Sequence, residues 1–166
     1  MGSDRDCDST ADDDEVPQHS VMLSEYWIGR TPVTNAQYDQ FIQDQGYQQK
    51  EYWSAEGWYW RMGKWESDLT IYNADWQKEM SEWLPNRPSS LRDLPFHWRE
   101  SSWNEAEQPV VGVCWFEVEA YINWLNALGE VRFQLPSEAQ WEKAARGTDG
   151  WIYPWGNTWD GARCNT

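Results

Sequence analysis

A chain of 166 residues has the length of one ordinary domain. Its formal net charge of −15, from 28 acidic and 13 basic side chains, excludes nucleic acid and an anionic membrane surface as natural partners, since both select a basic face. No apolar run approaches the roughly 18 residues of a membrane span. The first residues, MGSDRDCDST, lack the basic end and apolar stretch of a signal peptide. The 3 cysteines, Cys7, Cys114 and Cys164, are odd in number and widely spaced, so a disulfide framework is not expected and a reducing, cytoplasmic setting is. The 15 tryptophans exceed what a core of this size hides, so many indoles are expected at edges, grooves or interfaces.

In chain order, residues 1–20 read as an acidic, irregular lead-in. Residues 20–33 alternate in β-rich stretches around Val21, Leu23, Tyr26, Trp27 and Ile28, which predicts one or two short strands. Residues 34–46 predict a helix. Thr34 caps it, Gln37 completes a capping box, and Tyr38, Phe41 and Ile42 form its apolar stripe, with Gly46 as the C′ residue. Residues 47–108 are Trp-rich and poorly periodic, and predict a long folded loop. One short helix is expected inside it over 74–84, with Trp76, Met80, Trp83 and Leu84 on one face. Residues 109–113 predict a buried strand. The strongest helix falls over 114–129, with Val118, Tyr121, Ile122, Leu125 and Leu128 inward. Residues 131–135 alternate as a strand. A third helix is expected over 136–147, capped by Ser137 with Gln140, with Trp141, Ala144 and Ala145 inward and Gly147 as its stop. A turn at Asp149-Gly150 and aromatic loops follow. Mixed elements without βαβ alternation indicate an α+β fold.

Few residues carry chemistry. Asp4, Asp6, Asp8, Thr10, Asp12 and Glu15 stand at the spacings of an EF-hand calcium loop. Ser9 replaces the turn glycine and no helix flanks the run, so a solvated acidic loop is the favoured reading. Cys114 opens the long helix, where a helix N-terminus can lower a thiol pKa; a small buried residue at a cap is favoured over a reactive thiol. Trp53, Trp58, Tyr59 and Trp60 could form a stacking groove for peptide or sugar, and packing of a loop-rich core is favoured. Arg61, Arg87 and Arg99 are suited to acids or indole faces. His19 and His97 stand alone, without a second ligand at metal spacing. No nucleophile–base–acid set and no phosphate loop is legible.

Five blocks in order, MGSD…DDDEVPQHSVML, YWIGRTPVTNAQYDQFI, QPVVGVCWFEVEAYINWLN, RFQLPSEAQWEKAARG and YPWGNTWDGARCNT, resemble the formylglycine-generating enzyme, or sulfatase-modifying factor, family. The resemblance implies a C-type-lectin-like variant, low in regular secondary structure, with residues 1–166 forming the front part of one domain that is incomplete at its C-terminal end. It implies that the intact protein is a copper-dependent oxidase converting a substrate cysteine to formylglycine, or else a non-catalytic peptide- or ligand-binding or regulatory module of the same fold. No catalytic residue carries over, and the 166-residue chain is expected to be inactive alone. Calcium is the implied structural ion, with Asn165 and the main chain of Thr166 as ligands. Copper belongs only to the intact enzyme, and the implied partner is a protein or peptide substrate. Ile122 and Ala145 stand where the family's secreted animal enzymes have disulfide cysteines. As the front part of a domain, the chain is expected to expose Trp-rich surface and to associate.

Overall fold

Thr34 starts the first helix as its sequence demands. In the computed structural model, which describes residues 1–63, 78, 92–129 and 131–164, helix α1 spans Asn35–Gln43. The Gln37 N–H donates to Thr34 Oγ1 at 3.3 Å, and the Thr34 N–H donates to Gln37 Oε1 at 3.0 Å, which closes the capping box. Two more N-terminal donors are taken from outside the helix: Asn35 and Ala36 N–H groups bond the carbonyls of Gln108 and Ala106, both at 2.9 Å. The orphan groups of a helix start are thus satisfied by residues 103–110, which fixes that loop against α1.

The other end departs from expectation by one position. Gln45, at φ 59°, takes the left-handed C′ place. The Gly46 N–H bonds Phe41 O at 2.8 Å and the Gln45 N–H bonds Ile42 O at 3.0 Å, the paired bonds of a Schellman motif. Gly46 is therefore C″. A non-glycine residue in that conformation is strained by about 1 kcal/mol. Gln45→Gly is expected to raise the unfolding free energy by about 0.5–1 kcal/mol, net of glycine's greater unfolded-state freedom; urea denaturation checks the sign.

Helix α2, Ala55–Arg61, is a correction to the loop reading of residues 47–108. Ser54 caps it, accepting the Gly57 N–H at 3.2 Å, and a 3-10 turn, Lys50–Tyr52, leads into it. The helix was hidden because aromatic residues and Gly57 interrupt the apolar period that marks a helix. The helix expected over 74–84 lies outside the described residues, apart from Lys78.

Helix α3, Trp115–Leu128, buries Glu117, Ala120, Tyr121 and Trp124. Tyr121 is inward as expected. Val118, Ile122 and Leu125 are only half-buried and Leu128 is exposed. The buried stripe is rotated because a charged residue, Glu117, lies inside it. Helix α4, Glu138–Arg146, has its Ser137–Gln140 capping box. Its inward face is corrected too: Trp141 and Ala144 are exposed, and Glu142, Ala145 and Arg146 are half-buried.

The expected strands do not form among the described residues, where pairing is limited to isolated bridges, Thr34 with Pro109 and Tyr153 with Gly156. Each miss has a local cause. In 109–113, Pro109 has no N–H to give, and Gly112 turns at φ +70° so that its carbonyl accepts the Phe96 N–H at 2.8 Å. In 131–135, a side chain replaces the neighbouring strand: Asn126 accepts the Phe133 N–H at 2.6 Å and donates to its carbonyl at 3.0 Å. In 20–33 the Val33 carbonyl accepts the Val110 N–H at 2.9 Å without extending into a ladder, and Trp27 is 93 % exposed. The result is low regular secondary structure, in which helices and irregular segments carry the packing.

The chain divides into two compact units, Met1–Arg30 with Leu135–Thr166, and Thr31–Gln134. The second holds an almost wholly aromatic core of Tyr38, Phe41, Tyr47, Trp53, Trp60, Ala120, Tyr121 and Trp124. Rings meet by edge and by face: Phe41 stands edge-on to Trp124 at 5.7 Å, and Tyr38 stacks on Tyr121 at 5.0 Å. Such pairs contribute about 0.5–1.5 kcal/mol each beyond area burial. The first unit folds about α4. Glu142 Oε1 accepts the Gly2 N–H at 3.0 Å, the Arg146 guanidinium donates to the Gly2 carbonyl at 2.6 Å, and Arg146 and Glu142 pair at 2.7 Å. The Tyr26 hydroxyl donates to Gln140 O at 2.8 Å. Three sequence blocks far apart in the chain are thereby joined on one helix.

Candidate functional site

Buried ionisable groups converge at the start of α3. Cys114 is its N-cap and forms a capping box with Glu117. The Cys114 N–H donates to Glu117 Oε2 at 2.8 Å, and the Tyr47 hydroxyl donates to Oε1 at 2.7 Å. Tyr47 in turn meets the Tyr38 hydroxyl at 3.2 Å. Glu117 is 0 % exposed. A carboxylate tolerates such burial only when donors surround it. Burial, reinforced by the neighbouring acids, pushes both Tyr38 and Tyr47 well above the ordinary phenol range. Burial first, and the Glu117 carboxylate second, push the Cys114 thiol up to about 12.

That value decides what Cys114 can do. The helix N-terminus favours a thiolate, but desolvation and the adjacent carboxylate outweigh it. The sulfur is a cap and a filler, as its sequence position suggested. In the folded chain at pH 8, Cys114 is expected to alkylate with iodoacetamide at least tenfold more slowly than exposed Cys7. Peptide mapping by mass spectrometry reads both sites, and equal rates would overturn this account.

The sequence-predicted ligands distribute differently. Asn165 and Thr166 lie outside the described residues. Just before them, Asp160 caps a 3-10 turn, Gly161–Arg163, by accepting the Ala162 N–H at 3.1 Å. Asp160 also pairs with Arg163 at 3.1 Å. In the N-terminal run, the carboxylates close local turns and do not converge. Asp8 accepts both the Thr10 hydroxyl, at 2.6 Å, and the Thr10 N–H, at 3.0 Å, which holds its carboxyl below the usual range. Glu15 accepts the Asp12 N–H at 2.9 Å, and Arg5 pairs with Asp13. Among the described residues, no group of three or more His, Cys, Asp or Glu side chains is placed to hold a metal ion.

Trp53 and Trp60 are core residues, not groove walls. The Trp53 indole N–H donates to Gly46 O at 2.9 Å and the ring stacks at 6.3 Å on Trp60. Arg61 lies over Trp58, 5.5 Å from the ring centroid, and pairs with Asp93. Arg99 is exposed and Arg87 lies outside the described residues. His19 Nδ1 meets Pro17 O at 3.0 Å and His97 Nδ1 meets Glu100 at 2.8 Å, local contacts in both cases.

A Cu(I) site needs thiolates brought together. Among the described residues Cys7, Cys114 and Cys164 are free, none belongs to a group of three or more metal-ligating side chains, and Cys114 is engaged as the N-cap of α3. Two features escaped sequence reasoning, the buried Glu117 and the Glu142–Arg146 clasp. The first had a signal, an acid three residues after a cap. The second had one also, a Glu and an Arg at i, i+4 on a helix.

An aromatic core carried on short helices, capped loops in place of sheets, and block-to-block clasps around one helix define a loop-dominated domain class. Residues 1–166 match the sulfatase-modifying factor enzyme 1-like domain, and the chain belongs to that family. It is 35% identical to hercynine oxygenase of Mycolicibacterium thermoresistibile, over 87% of this chain and 28% of that protein. It is 34% identical to the formylglycine-generating enzyme of Thermomonospora curvata, over 92% of this chain and 48% of that protein. It is 30% identical to the inactive C-alpha-formylglycine-generating enzyme 2 of Mus musculus, over 92% of this chain and 47% of that protein. The chain thus spans between about a quarter and a half of the length of these relatives. No solved structure matches it. No helix among the described residues is long and apolar enough to cross a membrane.

Proposed function

We propose that this chain is the scaffold part of a formylglycine-generating oxidase domain of C-type-lectin-like architecture. The intact protein converts a cysteine of a protein or peptide substrate to the formylglycine aldehyde, copper being the metal the reaction would use. O₂ and two electrons from a thiol reductant are consumed, and the sulfur leaves as sulfide with one water formed. The observation that supports this division of labour is coverage: the chain spans 48% of the formylglycine-generating enzyme it resembles, and its half-buried Cys114 is engaged as the N-cap of α3. In this reading the reactive cysteines belong to the length of the relatives that this chain does not span. In the same reading, Asn165 and the Thr166 carbonyl contribute to a structural calcium site, completed by oxygens from that remaining length, since Ca²⁺ takes 6–8 oxygens. Three free thiols suit a reducing compartment.

The test compares the purified 166-residue chain with a protein carrying it within the relatives' full length. Both receive copper, O₂, a thiol reductant and a cysteine peptide, and aldehyde is captured with a hydrazide reagent. Product is expected from the longer protein alone. Turnover by the short chain would refute the division of labour. The identity to hercynine oxygenase supplies the competing arm, hercynine offered in place of peptide and oxygenated product read by mass spectrometry. Inactivity of the longer protein on both favours a binding or regulatory module, a reading supported by the likeness to the inactive enzyme 2 of Mus musculus.

A further inference from the structure

The outer face of α4 carries a feature that the oxidase reading leaves unused. Beside it lies a cleft of about 620 Å³ whose apolar lining includes Val16, Trp141, Ile152 and Pro154. Trp141 is 63 % exposed within it, although helix periodicity placed that ring in the core. Carboxylates of Asp12, Asp14, Glu15 and Glu138 also line it. The cations facing it are Arg146 and the Met1 ammonium, with His19 beside them. Arg146 pairs with Glu142 at 2.7 Å and the Met1 ammonium lies 3.9 Å from the same carboxylate. Arg5, the nearby basic residue in sequence, pairs with Asp13 outside the lining. The charge lining the cleft is therefore strongly negative, around an indole face and aliphatic walls.

We propose that this cleft docks a basic peptide segment, seating an arginine or lysine side chain over Trp141. The occupant follows from charge complementarity. An indole face attracts a cation through its quadrupole. The carboxylates supply charge-assisted acceptors, and the aliphatic walls receive the methylene stem of a long basic side chain. Two copies of a chain of charge −15 repel, which disfavours self-docking in the same place. An acidic peptide meets the same repulsion. The proposal is independent of which substrate the intact protein oxidises.

Calorimetric titration of the full chain with an Arg-rich peptide, its Lys counterpart, a Glu-rich peptide and free arginine tests it. The basic peptides are expected to bind, free arginine at least tenfold more weakly, and the Glu-rich peptide not at all. Raising salt from about 0.05 to 0.5 M is expected to weaken binding severalfold, because exposed charges are screened. Asp12→Asn with Asp14→Asn is expected to weaken it at least threefold, and Trp141→Ala at least fivefold, with Trp141→Phe retaining most affinity. These positions are exposed, and near-ultraviolet circular dichroism confirms that the variants stay folded. Absence of binding, equal affinity for acidic peptide, or indifference to these substitutions would each overturn the proposal.

Discussion

Glu117→Ala is expected to lower the unfolding free energy by about 4 kcal/mol, the sum of two orphaned groups at about 1–3 kcal/mol each. The Tyr47 hydroxyl and the Cys114 N–H both give their hydrogen bonds to this carboxylate. The Tyr47 hydroxyl has no water to turn to, since Tyr47 is fully buried and Glu117 is 0 % exposed, and the Cys114 N–H is part-buried. Alanine removes both acceptors and also the N3 half of the α3 capping box. Glu117→Gln is expected to cost less, because its carbonyl oxygen still accepts one bond while its amide group faces a second donor. Urea denaturation reads the difference as a shift in midpoint at unchanged slope. A loss under about 1 kcal/mol in Glu117→Ala would mean that water or another acceptor serves both donors. The Tyr47→Phe variant then completes a double-mutant cycle, with strong coupling expected to Glu117.

The same carboxylate shows where sequence reasoning stops. Capping boxes at Thr34 and Ser137 were legible because the cap and its N3 partner are local, and both stand where the spacing put them. The C-terminal stop of α4 at Gly147, with φ 73°, was legible for the same reason. Glu117 has the same local spacing from Cys114, but its burial depends on Tyr47, 70 residues away. No periodicity rule predicts that a charged residue turns inward to meet a distant hydroxyl. The strands failed for a related reason. Alternation in 131–135 encodes a pleated face, but the partner is the side chain of Asn126. Trp141 shows the converse error, an apolar residue at an inward helical position whose inner face is occupied instead by the Glu142–Arg146 clasp on Gly2. Family membership survived these errors because it rests on ordered blocks, and the structure shows α4 bonded to two of them.

Gly46→Ala is expected to destabilise the chain by about 3 kcal/mol, at the high end of overpacking costs. A Cβ at residue 46 would lie 1.9 Å from Cε2 and 2.1 Å from Cδ2 of Phe41. The ring has no room to yield. Phe41 is 0 % exposed and is packed by Tyr38, Tyr47, Tyr121 and Trp124. The backbone has little freedom either, because the Gly46 N–H holds Phe41 O and its own carbonyl accepts the Trp53 indole N–H. A methyl group here therefore strains the Schellman turn, the core ring and the Trp53 anchor together. Phe41→Leu in the same chain opens space where the new methyl falls. It is expected to cost about 1–3 kcal/mol alone through lost ring packing, but less than that when added to Gly46→Ala. Thermal and urea unfolding of the two single variants and the double variant measure this coupling. Simple additivity would place the clash elsewhere, whereas a rescue of about 1 kcal/mol or more would identify Phe41 as the reason that residue 46 is glycine.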